Sequence, residues 1–395
     1  MSTGKLRAFS TIASMLPGVE TSERRSISYP FGGRAVEAGF AMLSMRWKGC
    51  NLSRFGVVLA ALAAWGATER GSAEAVEASR WPEPEAVAYR QGTPVTFPSH
   101  SPFALVDAGQ GPERDPPRPA QGQLFLPDTL AETTPVPAVV LLHGASGVQD
   151  ARDPTYARQF AEMGIAALVV DVFGARRDLA TGFTERLLNI TEAMYLADAY
   201  SALRYLSGIP GIDSRRVALI GFSYGGMAAT YAAYAQVAER FAPNGERFVA
   251  HAAFYAPCVA RFEDSRATGA PLLMLYGTGD AMIDPARCDG IAAALEAGGA
   301  DVQKAVYPGA VHQWDGAWGR RRMRRNIVDC DFVVEPDATV RDADWQLPMT
   351  NPFIRKLMLA FCADDDGYEL GRDDTVRAQS NRDLGRFLSR AFVAD

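Results

Sequence analysis

The pentapeptide Gly221-Phe222-Ser223-Tyr224-Gly225 sets one serine midway between two glycines. It follows an aliphatic run, Val217–Ile220, and precedes alanine-rich sequence, so Ser223 is expected on a strand–turn–helix elbow. In so tight a turn, side chains two positions before and after the serine would collide, which accounts for both glycines. The hydroxyl is then presented at the carboxyl end of a sheet. A serine hydroxyl is a poor nucleophile at neutral pH; it needs a base, and the base needs a group to orient it. Of four histidines, two follow Ser223. His251 lies in an apolar run (FVAHAAFY) and reads as a packing residue, whereas His312 ends the loop after Val302–Tyr307 and is the expected base. Asp280, the first carboxylate after Leu272–Tyr276, is the expected orienting acid. Its rival, Asp284, precedes Pro285 and is placed to cap a helix.

Attack on a carbonyl creates an oxyanion that needs donors. One is expected from the backbone N–H of Tyr224, the residue after the nucleophile. The other belongs to the loop His143-Gly144-Ala145-Ser146-Gly147, with Ala145 preferred over Ser146 and His143 read as a residue that orients the loop. Arg176 and Arg177 follow an apolar strand and are candidates for pairing with a substrate carboxylate, against the alternative of a surface salt bridge.

Such a constellation needs a rigid frame. Near-continuous apolar runs at Ala138–Leu142 and Ile165–Val172 predict strands buried on both faces, with a shorter strand at Gln123–Leu126 and another near Pro94–Pro98. Further strands are expected at Arg216–Ile220, Val249–Tyr255, Leu272–Tyr276 and Val302–Tyr307. Helices are expected at Tyr156–Met163, Ile190–Leu206, Tyr224–Val237, Pro285–Glu296 and about Asp374–Phe392. This alternation implies an α/β fold with a mostly parallel central sheet flanked by helices. Residues 316–372 break the rhythm and read as an insertion before the last helix. Their basic run, Arg320 to Arg325, reads as a solvated face, and Asp364-Asp365-Asp366-Gly367 lacks the flanking carboxylates of a calcium loop.

The segments PAVVLLHGASG, ALVVDVFGARR, GFSYGG, AFYAPC, YGTGDAMIDPARC and YPGAVHQW resemble, in order and spacing, the dienelactone hydrolase family of the α/β-hydrolase superfamily, over roughly residues 121–315. The resemblance implies a cofactor-free hydrolase of small esters or lactones, with Ser223, Asp280 and His312 as its triad. Dienelactone hydrolases themselves carry a cysteine nucleophile; this chain resembles a serine-bearing branch, which leaves the dienelactone substrate open. A peptidase or an acyltransferase would share the triad, but no propeller-like repeats precede the catalytic segment. A non-catalytic binding protein on this fold is expected to lack a triad member, and none is missing.

The chain has 395 residues with a formal net charge of -6, which gives no electrostatic reason to expect nucleic acid. No run reaches the roughly 20 apolar residues that span a bilayer. A shorter run, Phe55–Gly66, has basic residues before it and Ser72-Ala73-Glu74-Ala75 after it, as in a secretory signal peptide, with translation expected to begin at Met42 or Met45. Residues 1–75 are thus read as an extension and signal, and 76–395 as the hydrolase domain, periplasmic or secreted rather than cytoplasmic. Cleavage there removes Cys50 and leaves Cys258, Cys288, Cys330 and Cys362. Four cysteines allow three pairings. Cys258–Cys288, after adjacent strands, with Cys330–Cys362 inside the insertion is favoured over free thiols. No C-x-x-C pair suggests a metal, and the oligomeric state is not legible.

Overall fold

The computed structural model describes residues 81–393; the signal-like run, Cys50 and the expected boundary at residue 75 lie outside them. The long aliphatic runs form the centre of one sheet. Strand β3 (Val136–Leu142) is buried at every position, and its side chains alternate between two cores: Ala138, Val140 and Leu142 face one, Val139 and Leu141 the other. Each fully buried Val or Leu of this kind contributes roughly 1.5–3 kcal/mol of transfer free energy.

Around β3 lie β1 (Thr93–Phe97), β2 (Ala120–Phe125), β4 (Ala166–Val170), β5 (Ile212–Phe222), β6 (Ala250–Phe254), β8 (Leu272–Gly277) and β9 (Val302–Tyr307). The eight strands run in the order β1-β2-β4-β3-β5-β6-β8-β9. Every neighbouring pair from β4 to β9 is parallel, whereas β2 pairs antiparallel with both β1 and β4. Helices α1 (Asp153–Glu162) and α8 (Asp374–Ala391) cover one face through Tyr156, Phe160, Leu384 and Phe387. The other face is covered by α3 (Glu192–Ser207) and α4 (Tyr224–Tyr231), whose Leu196, Tyr200 and Met227 join the first core. This is the α/β-hydrolase architecture, with the carboxyl ends of the parallel strands at one rim.

One expected helix is divided. In place of Tyr224–Val237 there are α4 and α5 (Ala235–Phe241), because the chain between them is tied sideways: Ala235 N–H donates to Arg266 O, and Thr268 N–H to Ala233 O. A short α2 (Phe183–Asn189) precedes α3, and α6 (Pro285–Ala297) follows β8. Residues 316–372 are ordered: β10 (Arg321–Met323), β11 (Phe332–Val334), β12 (Val340–Asp342), α7 (Pro352–Cys362) and β13 (Tyr368–Leu370). Strand β11 pairs in parallel with β7 (Ala260–Phe262), and β10 pairs with β13. The disulfides are Cys258–Cys288 and Cys330–Cys362, the first clipping α6 to the segment after β6, the second closing the segment from residue 330 to the end of α7.

Candidate active site

Strand β5 ends at Phe222 and α4 begins at Tyr224, so Ser223 alone makes the turn, at φ 52°. For a residue with a Cβ, such backbone costs on the order of 1–3 kcal/mol and persists only where neighbours enforce it. Here Ser223 N–H donates to Phe254 O at 2.8 Å. The glycines permit the close approach: a Cβ on Gly221 would lie 2.0 Å from Gly225 O, and one on Gly225 would lie 2.4 Å from Leu142 O.

Three loops at the rim bring the remaining groups to this hydroxyl. His312 Nε2 is 2.9 Å from Ser223 Oγ, and His312 Nδ1 is 2.7 Å from Asp280 Oδ2. All three are buried, at 6%, 1% and 4% exposure for Ser223, His312 and Asp280, so the chain of hydrogen bonds is shielded from competing water. Asp280 Oδ1 also accepts the Met282 N–H at 3.0 Å, leaving its other oxygen aimed at the imidazole. Asp284 accepts from the N–H groups of Ala286 and Arg287 and caps α6.

Tyr224 is the first residue of α4, where an N–H has no partner within the helix. Among the described residues no acceptor is found for its N–H or for that of Ala145. A Cβ on Gly144 would come within 3.4 Å of Ser223 Cβ, which places the His143–Gly147 loop against the nucleophile. His143 lies beneath this loop, fully buried, with Nδ1 2.8 Å from Gly144 O and 3.0 Å from the Tyr195 hydroxyl. Burial lowers its pKa, favouring the neutral imidazole.

The arginine expectation is corrected for Arg176. It is fully buried, and its five N–H donors go to five acceptors: Ser101 Oγ, Val172 O, His100 O and both oxygens of Asp198. It locks the end of β4 to α3 and keeps no donor for a ligand. Arg177 is exposed and shares no described contact with the triad.

Several supporting residues carry no sequence signal. The Tyr255 ring meets the His312 imidazole edge-on at 4.8 Å, and its hydroxyl donates to Asp315 at 2.6 Å. Burial pushes the Asp315 carboxyl above its usual range, against the pull of Arg152. From the insertion, Tyr368 packs on His312 at 5.2 Å, and burial, aided by the Asp280 charge, pushes its hydroxyl up to about 12. His312 N–H donates to Glu369 O, Gly371 N–H donates to His312 O, and Asn326 Nδ2 donates to Ala281 O beside the acid. The insertion thus braces both the base and the acid loops.

Beside α4 lies an apolar cavity of about 90 Å³, lined by Tyr224, Met227 and Tyr231 on one side and by insertion residues that include Ile327, Val340 and Leu359 on the other. A larger polar cleft of about 440 Å³, between Trp81 and α8, contains none of the triad residues.

Residues 121–317 match the model of the dienelactone hydrolase family. A curated protein of Methylorubrum extorquens carrying the name carboxymethylenebutenolidase is 25% identical over 200 residues, 46% of this chain; the chain spans 64% of that relative's length. Among solved structures, a dienelactone hydrolase-like promiscuous phosphotriesterase from metagenomic libraries is 17% identical, with a TM-score of 0.44, covering 76% of this chain and 99% of its own. Thermogutta terrifontis esterase 2, phosphorylated by paraoxon, is 19% identical with a TM-score of 0.41, covering 49% of this chain and 79% of its own. Across residues 121–317, the chain belongs to the dienelactone hydrolase family.

Proposed function

We propose that the protein is a serine hydrolase that cleaves a small carboxylic ester or lactone through an acyl-enzyme. The observation that carries this is the continuous chain Ser223 Oγ–His312–Asp280, at 2.9 and 2.7 Å, on a serine held at positive φ. In this reading His312 Nε2 takes the hydroxyl proton as Ser223 Oγ attacks the carbonyl carbon, and Asp280 stabilises the imidazolium. The Tyr224 N–H, with that of Ala145, receives the oxyanion. His312 returns the proton to the departing alkoxide; it then activates the water that releases the acid and restores Ser223. Membership of the dienelactone hydrolase family supports the ester-bond assignment. The test is labelling by a fluorophosphonate together with turnover of p-nitrophenyl acetate. Wild type is expected to label and turn over, and Ser223→Ala to lose both; a wild type that does neither refutes the reading.

We also propose that the protein works outside the cytoplasm. The signal-like run Phe55–Gly66 and the pairing of the four remaining cysteines support this. Cell fractionation with N-terminal sequencing tests it: protein confined to the cytoplasm and retaining Phe55–Gly66 refutes it.

A further inference from the structure

The cavity beside α4 has no part in the triad, yet it begins at Tyr224, the residue next to the nucleophile. Tyr224, Met227 and Tyr231 stand at spacings of three and four, so one stripe of the helix that carries Ser223 at its head forms the cavity wall. Phe103 and Leu105, with Ile327, Val340 and Leu359 of the insertion, share in the rest of its lining.

Its charged groups and the Tyr224 hydroxyl are already partnered. Arg355 Nη1 and Nη2 each lie 3.0 Å from a Glu192 carboxylate oxygen, its Nε donates to Leu187 O, and Nη2 also donates to the Tyr224 hydroxyl. Tyr224 in turn donates to Ile190 O. No charge there is left to recognise a carboxylate or an ammonium, and an apolar cavity of this kind does not hold water well. It suits hydrocarbon. A closed cavity of about 150 Å³ accepts a benzene ring, so about 90 Å³ favours a short aliphatic chain over an aryl group.

The two halves of an ester are distinguished by position. The leaving alcohol takes its proton from His312 and departs on that side, where the imidazole is flanked by Tyr255 and Tyr368. Neither tyrosine, nor any residue from Pro308 to Asp315, lines the cavity. The acyl group stays bonded to Ser223 through both half-reactions, with its carbonyl oxygen at the Tyr224 N–H, which leaves the side of α4, where Tyr224 lines the cavity, for its chain.

We propose that the cavity between α4 and the insertion is the acyl-chain site, and that it selects short, unbranched aliphatic acyl groups of about four carbons. This rests on the hydrolase reading above and adds the substrate class to it. One methylene in a fitted apolar pocket changes kcat/KM by about ten-fold or more.

The experiment uses the full-length protein with its disulfides intact and p-nitrophenyl esters of acetate, butanoate, hexanoate, octanoate and benzoate, with the fluorophosphonate label run in parallel. Wild type is expected to prefer butanoate over acetate and over octanoate by about ten-fold, and to turn over benzoate worst. Leu359→Ala, which lengthens the cavity, moves the optimum to hexanoate. Val340→Phe, which fills it, lowers the butanoate-to-acetate ratio to one or below. Both residues are only partly buried and belong to the insertion, and either variant alone is sufficient for the test. A wild-type optimum at octanoate or benzoate overturns the proposal. So do ratios unchanged in the labelled variants, while the hydrolase reading stands. Absence of label and of turnover in wild type overturns both.

Discussion

At the residue scale, the active-site chemistry depends on chemically weak groups made effective by burial and fixed geometry, and the same burial leaves a mark on stability. His251 sits in β6 with neither ring nitrogen hydrogen-bonded among the described residues, and burial pushes its pKa down to about 3. Its unfolded value is near 6.5. The unfolded chain therefore binds the extra proton first as pH falls. The stabilising contribution is complete above about pH 6.5 and drains away toward pH 3, at up to about 1.4 kcal/mol per pH unit. His143 acts in the same direction. Replacing His251 with Leu should remove its share, so that the loss of stability between pH 7 and pH 5, measured by urea unfolding, becomes smaller by roughly 2 kcal/mol. The reading of His251 as a packing residue came from its apolar neighbours. Ser223, His312 and Asp280 were legible for a related reason: each stands just past a strong strand signal, where a loop must deliver it to the rim. Arg176 was misjudged because position after a strand says nothing about which acceptors surround a guanidinium. Asp198, its partner, lies on a helix whose apolar spacing gave no hint of an inward-facing charge.

At the element scale, the strands and the main helices follow from periodicity, and their edges shift by a few residues. The helix break between α4 and α5 was not legible, since it is imposed by a hydrogen bond to Arg266 O and another from Thr268 N–H, both distant in sequence. Helix α7 did have local signals, Asn351 as cap and Pro352 in the first turn, masked by the irregular sequence around them. What holds α7 down is Arg355, whose side chain is 6% exposed and paired with a Glu192 that is 16% exposed. Breaking a buried pair strands the remaining charge. Arg355→Met should therefore cost about 3 kcal/mol, while the double change Arg355→Met with Glu192→Leu should recover at least half of that. Chemical unfolding of the two variants and wild type measures the difference. Equal losses in single and double variants would mean that the ion pair does not fasten this helix.

At the scale of the whole molecule, the strand order β1-β2-β4-β3-β5-β6-β8-β9 places successive parallel strands so that every functional loop exits at one rim. Alternation of strand and helix made the parallel sheet legible, but the insertion's embrace of the site was not, because its short strands carry no period long enough to read. That embrace has a temporal consequence. His312 is gripped from both sides by backbone near Glu369 and Gly371, which the chain reaches only after completing the entire excursion through β10, β11, β12 and α7. A nascent or refolding molecule can assemble its central sheet while its imidazole still swings free. Competence should thus arrive as a late event. In a refolding time course, capture of Ser223 by a fluorophosphonate pulse is expected to lag behind recovery of far-ultraviolet dichroism, and simultaneous recovery would show that the loop arms itself without its clasp. A lag of that kind would make the newly synthesised molecule a folded but inert precursor until its clasp closes.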